Sequence, residues 1–438
     1  MNFIEEKLIP IFGKIGSQRH LAAIRDGFVA LIPLLTVGSF AVLINNLPID
    51  AYQTFMANIF GDGWKNFGGN IWWGSIAIIS IFVAFTVAYS LAKSYDSDGL
   101  AAGIISVACY FIFVPQSPTV ISPGGESFGA WGNINWAFTN AGGMFVALLI
   151  ALLSTELFVR LRKSPKLVIN MPDGVPPAVS KSFAALFPGA ITLIVFSLIS
   201  LTFIAGATTI FAVIEKFFAA PMRTVADSFG SALFIPFFGS FLWFFGLHGA
   251  NIIGGVIEPL LLPMAQANAD AAILGQIPEH IVTKPFLDAF VYIGGSGATL
   301  CLLLAILIAA RSKMTKSIGK IGIAPGCFNI NEVVIYGLPI VLNPMMLVPF
   351  LLTPMVLSGF SYLVIAAGIV PKTIVAMLPW ITPPVLSGFL ATGSIAGSIL
   401  QLVEIAIGTL IYLPFVIASD RENLKLERSE ESAKAKIS

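Results

Sequence analysis

Glu332 is the single charge in the run Pro325-Gly-Cys-Phe-Asn-Ile-Asn-Glu-Val-Val-Ile-Tyr-Gly-Leu-Pro-Ile-Val-Leu-Asn-Pro344, with Asn329 and Asn331 beside it and Pro325, Gly326 and Gly337 around it. A carboxylate in so apolar a stretch is costly, and intramembrane ionisable residues mark sites by default. His248, in Trp243-Phe-Phe-Gly-Leu-His-Gly-Ala-Asn251, is the second candidate, because glycine on both sides admits close approach. Its bland reading is a histidine at a helix end. Glu258 and Glu404 also lie in apolar runs, where pairing across helices explains them as readily as chemistry. Trp243 and Trp380 read either as lipid-facing belt residues or as stacking walls for a ring with an apolar C–H face.

The elements that must hold these residues are dictated by composition. The 438 residues are 57% hydrophobic and only 11% charged, with mean hydropathy +0.90, against roughly 25% charged for a soluble chain. This is an all-α polytopic membrane protein by expectation. A net charge of +1 with no basic arm gives nucleic acid no electrostatic handle. Cys109, Cys301 and Cys327 lie far apart in apolar surroundings, which argues against a disulfide framework or a metal cluster. There is no Gly-x-x-x-x-Gly-Lys-Ser/Thr loop and no His-Glu-x-x-His pair, so neither a nucleotide nor a metal cofactor is expected. The opening Met-Asn-Phe-Ile-Glu-Glu-Lys-Leu-Ile-Pro reads as an interfacial helix rather than a cleavable signal.

Apolar runs near 25–47, 71–92, 99–115, 135–159 and 185–208 approach or exceed the roughly 20 residues that cross about 30 Å of hydrocarbon. Lys7, Lys14, Arg19 and Arg25 precede the first, the 116–134 loop has no Lys or Arg, and Arg160, Arg162, Lys163, Lys166 and Lys181 follow the fourth. This is the positive-inside pattern with a cytoplasmic N-terminus. Further runs lie near 228–247, 291–310, 342–368 and 393–418, and parity requires a short broken span within 250–266. Ten crossings result. The Gly- and Pro-rich stretch 321–341 reads as a re-entrant hairpin, since broken backbone at membrane depth must line a cavity or be buried by protein. Thr353-Pro-Met-Val-Leu-Ser-Gly-Phe360 echoes Thr382-Pro-Pro-Val-Leu-Ser-Gly-Phe389, and each Thr-Pro reads as a helix start, though coincidence explains the echo as well. The expected division is 1–182, extending to the fifth span at about 208, then 183–420 with the re-entrant hairpins, then a cytoplasmic tail 421–438.

Four segments in order carry a resemblance: His20-Leu-Ala-Ala-Ile-Arg-Asp-Gly27, Pro176-Pro-Ala-Val-Ser-Lys-Ser-Phe-Ala-Ala-Leu-Phe-Pro-Gly189, Gly246-Leu-His-Gly-Ala-Asn251 and Phe328 to Pro344. The chain resembles the membrane IIC component of a bacterial sugar phosphotransferase system, in its lactose/cellobiose/N,N'-diacetylchitobiose branch, and is most similar there to the diacetylchitobiose permeases. One position departs: Val333 stands where the family has Pro after Asn-Glu.

The resemblance implies a homodimer in the bacterial cytoplasmic membrane, with both termini cytoplasmic, N-terminal spans at the subunit contact and one disaccharide per protomer in the C-terminal half. It implies that Glu332 meets the sugar C6 hydroxyl as general base and that His248 orients that hydroxyl or stabilises transferring charge. Trp243 and Trp380 become the stacking walls, and Asn251, Asn331 and Asn135 the amides expected to bond sugar hydroxyls. The phosphate would come from a cysteine of a separate IIB subunit, itself charged by IIA, docking near the basic 311–320 loop. Two other readings use the same buried groups: a proton-coupled disaccharide symporter with Glu332, Glu258 or Glu404 as proton carrier, and an intramembrane enzyme acting on lipid head groups. The last lacks the clustered arginines that lipid phosphates require.

Overall fold

The computed structural model describes every residue except 1–17, 46–49, 122–126, 170, 173, 245, 246, 248, 339, 341, 342 and 438. His248 therefore lies outside the described residues. In chain order the helices are α1 (Arg19–Asn45), α2 (Asp50–Phe60), α3 (Lys65–Trp73), α4 (Ile79–Lys93), α5 (Gly99–Phe113), α6 (Met144–Arg162), α7 (Pro177–Ala205), α8 (Ile210–Ala226) and α9 (Phe229–Phe244). They continue with α10 (Gly249–Ile273), α11 (Lys284–Phe290), α12 (Thr299–Ala309), α13 (Lys313–Gly326), α14 (Glu332–Gly337), α15 (Pro344–Ala366), α16 (Leu386–Thr392) and α17 (Ile395–Ile437). A single small antiparallel ribbon is described, Thr119–Ile121 with Ser127–Gly129.

Seven of these stretches are long and apolar enough to cross a membrane: α1, Asp62–Lys93, α6, α7, α10, α15 and α17. The other three expected crossings fall on α5, α12 and the second arm of a pair bent by 78°, α8 with α9. The expected span 291–310 is shortened for a local reason. Gly294, Gly295 and Gly297 take φ of 85°, 95° and 79°, and Ala298 takes 53°. Helical geometry cannot begin until Thr299, which leaves α12 with 11 residues and a length of roughly 16 Å at 1.5 Å per residue.

Packing separates two compact units. The first holds, among the described residues, those of 18–45 and 62–223. Its centre is α4, on which Val83, Ala84, Val87, Ala88 and Leu91 are fully buried among α1, α5 and α6. Close approach depends on small residues, as is usual between helices in lipid: a Cβ on Gly27 would stand 2.7 Å from Val87 Cγ2, and one on Gly103 would stand 2.7 Å from the Phe85 ring.

The second unit holds, among the described residues, Asp50–Gly61 and Thr224–Ile437. Its core joins Leu300, Leu303 and Ile306 of α12, Val334 and Ile335 of α14, Phe350 and Leu357 of α15, and Tyr412 and Val416 of α17. Two expectations are corrected here. The basic 311–320 segment is not a loop: Ser312 Oγ accepts from Thr315 N–H at 3.3 Å and starts α13, whose first N–H groups are met by carboxylates of α17. Asp420 accepts from Arg311 N–H at 2.6 Å, and Glu427 from Met314 N–H at 3.0 Å. Acidic groups at a helix N-terminus complement its dipole. Nor do the two Thr-Pro pairs start helices. Thr353 and Pro354 lie inside α15, which begins instead at Asn343-Pro344, with Asn343 Oδ1 accepting from Met345 N–H. Thr382 Oγ1 donates to the Pro379 carbonyl at 2.7 Å, and α16 begins only at Leu386, four residues beyond Thr382 and directly after Val385 at φ 74°.

Candidate functional site

Helix α14 is six residues long and two-faced. Val334 and Ile335, with Leu338 just beyond, are buried in the core of the second unit, while Glu332 and Tyr336, one helical turn apart, are exposed on the other face. The apolar face thus fixes which way the carboxylate faces. The Glu332 side chain makes no hydrogen bond or ion pair with any other described residue. Its place in the first turn is electrostatically favourable. Val333 is the second helical residue, where an N–H has no intrahelical acceptor in any case. Proline at that position would push its predecessor out of helical geometry, so valine is what lets the helix begin at Glu332 itself.

The two asparagines before Glu332 hold its approach from both sides. Asn329 sits at φ 61°, a left-handed conformation that Asn tolerates better than most residues. Its Oδ1 accepts from Gly294 N–H at 2.7 Å, and its Nδ2 donates to the carbonyls of Trp380 and, at 3.3 Å, Thr382. Asn331 Nδ2 donates to the Ser296 carbonyl at 2.9 Å. Tyr412 adds a third tie, its hydroxyl donating to the Gly297 carbonyl at 2.6 Å. Glycine is required in this turn: a Cβ on Gly295 would lie 2.7 Å from Asn331 Nδ2 and 2.8 Å from the Asn329 carbonyl.

The other expected residues are placed as follows. Asn331 is buried, with its amide nitrogen committed to backbone. Trp380 is half exposed, and its carbonyl meets Asn329. Trp243 is 5% exposed and packs in the same apolar core as Val334 and Ile335. Asn251 stands in the first turn of α10, its side chain outside the described residues. Asn135 belongs to the first unit, where its Oδ1 accepts from Ala137 N–H at 3.0 Å and caps the turn Trp136–Phe138. Glu332, Asn331 and Trp380 are therefore joined through one hydrogen-bonded turn.

Two features, the Lys284–Asp288 pair and the Gln401 side chain, were not singled out in the sequence, whereas Glu404 was. Lys284 Nζ donates to both oxygens of the buried Asp288 carboxylate at 2.5 and 2.6 Å, and the Glu258 carboxylate lies within electrostatic range of that pair. The i,i+4 spacing in Lys284-Pro-Phe-Leu-Asp288 was the available signal. Gln401 is fully engaged: Oε1 accepts from Val385 N–H and Gly388 N–H, both at 2.7 Å, and Nε2 donates to the Ala289 carbonyl and to Ser387 Oγ. Glu404, fully buried, accepts a hydrogen bond from Ser361 Oγ across α15 and α17.

Apolar helices around short half-helices and left-handed turns are the architecture of a multi-pass membrane transporter, in which broken backbone at depth is buried by protein or lines a cavity. A family model described as "Phosphotransferase system, EIIC" matches residues 25–354. The chain is 40% identical over 433 residues to the lichenan permease IIC component of Bacillus subtilis (strain 168), covering 98% of this chain and 95% of that one. It is 39% identical over 437 residues to the cellobiose-specific EIIC component of Geobacillus stearothermophilus, covering 98% and 96%. The crystal structure of the transporter ChbC, the IIC component from the N,N'-diacetylchitobiose-specific phosphotransferase system, superposes with a TM-score of 0.93 at 40% identity over 97% of this chain and 99% of that one. The chain belongs to the EIIC family of the phosphotransferase system.

Proposed function

We propose that this chain is the sugar-translocating subunit of a phosphotransferase permease for a disaccharide of the cellobiose or N,N'-diacetylchitobiose class. It works as a homodimer in the bacterial cytoplasmic membrane with both termini cytoplasmic. The sugar is carried by alternating access of the hairpin-bearing unit, and its C6 hydroxyl is presented to a phosphorylated cysteine of a separate IIB subunit. In the transfer step the C6 oxygen bonds to phosphorus as the sulfur–phosphorus bond breaks, and Glu332 takes the hydroxyl proton. His248 stabilises charge on the transferring group. Trp380 stacks on the sugar, and Asn251 and Asn331 bond its hydroxyls.

The observation that carries this reading is the exposure of the Glu332 carboxylate at the start of a half-helix whose approach is fixed by Asn329 and Asn331. The relatives named for lichenan, cellobiose and diacetylchitobiose, aligned over nearly the whole chain, support the substrate class. The test is reconstitution in vesicles with phosphorylated IIB. Sugar phosphate should form, and Glu332→Gln should lower its rate by about 10²–10⁴-fold, the usual contribution of a general base, while sugar still binds. Accumulation of unmodified sugar under a pH gradient with no partner protein would instead identify a symporter. A wild-type rate of phosphorylation in Glu332→Gln would remove the general-base role.

A further inference from the structure

A cleft of about 1080 Å³ opens within the first unit between the end of α4, the start of α5, the end of α6 and the start of α7. Its wall is strongly basic. Lys93, Arg162, Lys163 and Lys181 line it, against the carboxylates of Asp96 and Asp98. Asp98 is already engaged, accepting from Ala101 N–H at 3.1 Å as the cap of α5 and standing 4.0 Å from Arg162. The three lysines have no carboxylate within ion-pair distance among the described residues. Lys93 and Lys163 instead lie over the Tyr89 and Tyr95 rings at 5.8 and 5.2 Å.

The floor changes character within one helical turn. Leu100 and Ile104 of α5, 59% and 57% exposed, continue the same cleft down an apolar helix face. A ligand that fills both parts needs an anionic head and a hydrocarbon body. The cleft also lies at the end of the spans where the basic residues collect, which is where anionic lipids meet Lys and Arg. A soluble acidic protein would use the lysines and leave Leu100 and Ile104 uncovered. We propose that this cleft seats an anionic phospholipid, its phosphate among Lys93, Lys163 and Lys181 and its acyl chains along Leu100 and Ile104.

The test is titration of phosphatidylglycerol, phosphatidylcholine and inorganic phosphate into the full-length protein in detergent, with bound lipid counted by native mass spectrometry. Phosphatidylglycerol should bind at least tenfold more tightly than phosphatidylcholine. The triple variant Lys93→Gln, Lys163→Gln, Lys181→Gln should lose about 100-fold in affinity for phosphatidylglycerol, each lysine near an anionic lipid contributing about fivefold. Retained disaccharide binding would show that this variant is folded. Lys316→Gln with Lys320→Gln, on α13, should leave the affinity unchanged. Equal binding of the two lipids, an unaffected triple variant, or an equal loss in the α13 variant would overturn the proposal. Inorganic phosphate binding as tightly as the lipid would also overturn it, because the apolar floor would then contribute nothing.

Discussion

Asn329 Oδ1 accepts the backbone N–H of Gly294 at 2.7 Å, from a residue at φ 61° to one at φ 85°. Two left-handed turns from separate parts of the chain are thereby locked together, and Glu332 follows three residues later.

Asn329→Ala should remove all three hydrogen bonds of this tie and leave buried backbone groups unmet. An orphaned buried polar group costs about 1–3 kcal/mol, and alanine is poorly suited to positive φ. A lowered thermal midpoint in detergent and weaker sugar binding are expected. Asn329→Gly loses the same bonds but keeps the conformation, so it should be the less damaging of the two; equal losses would assign the residue's value to its amide alone.

Gly295→Ala should disturb the site from the opposite side. The added Cβ at φ 95° meets Asn331 Nδ2 and the Asn329 carbonyl inside normal contact distance, so one of them must shift. Sugar phosphorylation should fall together with stability. Gly275, also at positive φ but with open space around its Cβ position, is the control: Gly275→Ala should cost about 1–2 kcal/mol from backbone strain alone and leave phosphorylation intact.

Lys284→Met should destabilise the second unit by about 3–5 kcal/mol, because it leaves the buried Asp288 without a counter-charge, and Asp288→Asn should cost less, because Glu258 still lies within electrostatic range of Lys284. The double variant should cost less than the sum of the two. Thermal unfolding of all four proteins gives the coupling directly, and additivity would mean that the pair does not interact in the membrane.

Val333→Pro should be tolerated. No intrahelical bond is lost at the second helical position, so stability should change by about 1 kcal/mol or less. Glu332 would move from the first helical residue to the cap, and sugar affinity measured by titration reports whether that shift reaches the pocket.

The long helices were legible because an apolar run of twenty residues is a property of one segment and needs no partner. The turn at 294–298 was not. Val291-Tyr-Ile-Gly-Gly-Ser-Gly-Ala298 is as apolar as a helix, and hydropathy does not separate backbone that must turn from backbone that can coil. Glu332 stood out by cost alone, whereas the role of Asn329 depends on partners 35 and 51 residues away, which spacing cannot reveal. The Thr-Pro pairs misled because proline within a span is accommodated by neighbouring helices, so Pro349 and Pro354 sit inside α15 without ending it. Lys284 and Asp288 escaped notice in a short segment where a neutral pair resembles an exposed helix surface.

Among the described residues, the amides of Asn329 and Asn331 hydrogen-bond only to main-chain atoms: the N–H of Gly294 and the carbonyls of Ser296, Trp380 and Thr382. The side chains of Ser296, Trp380 and Thr382 can therefore be exchanged without unfastening Glu332. An ancestral permease could drift from one disaccharide to another by altering what projects from these turns while the acidic group stayed in register. Selection for a new nutrient would then act on the lining of the pocket and leave the proposed proton-accepting position alone.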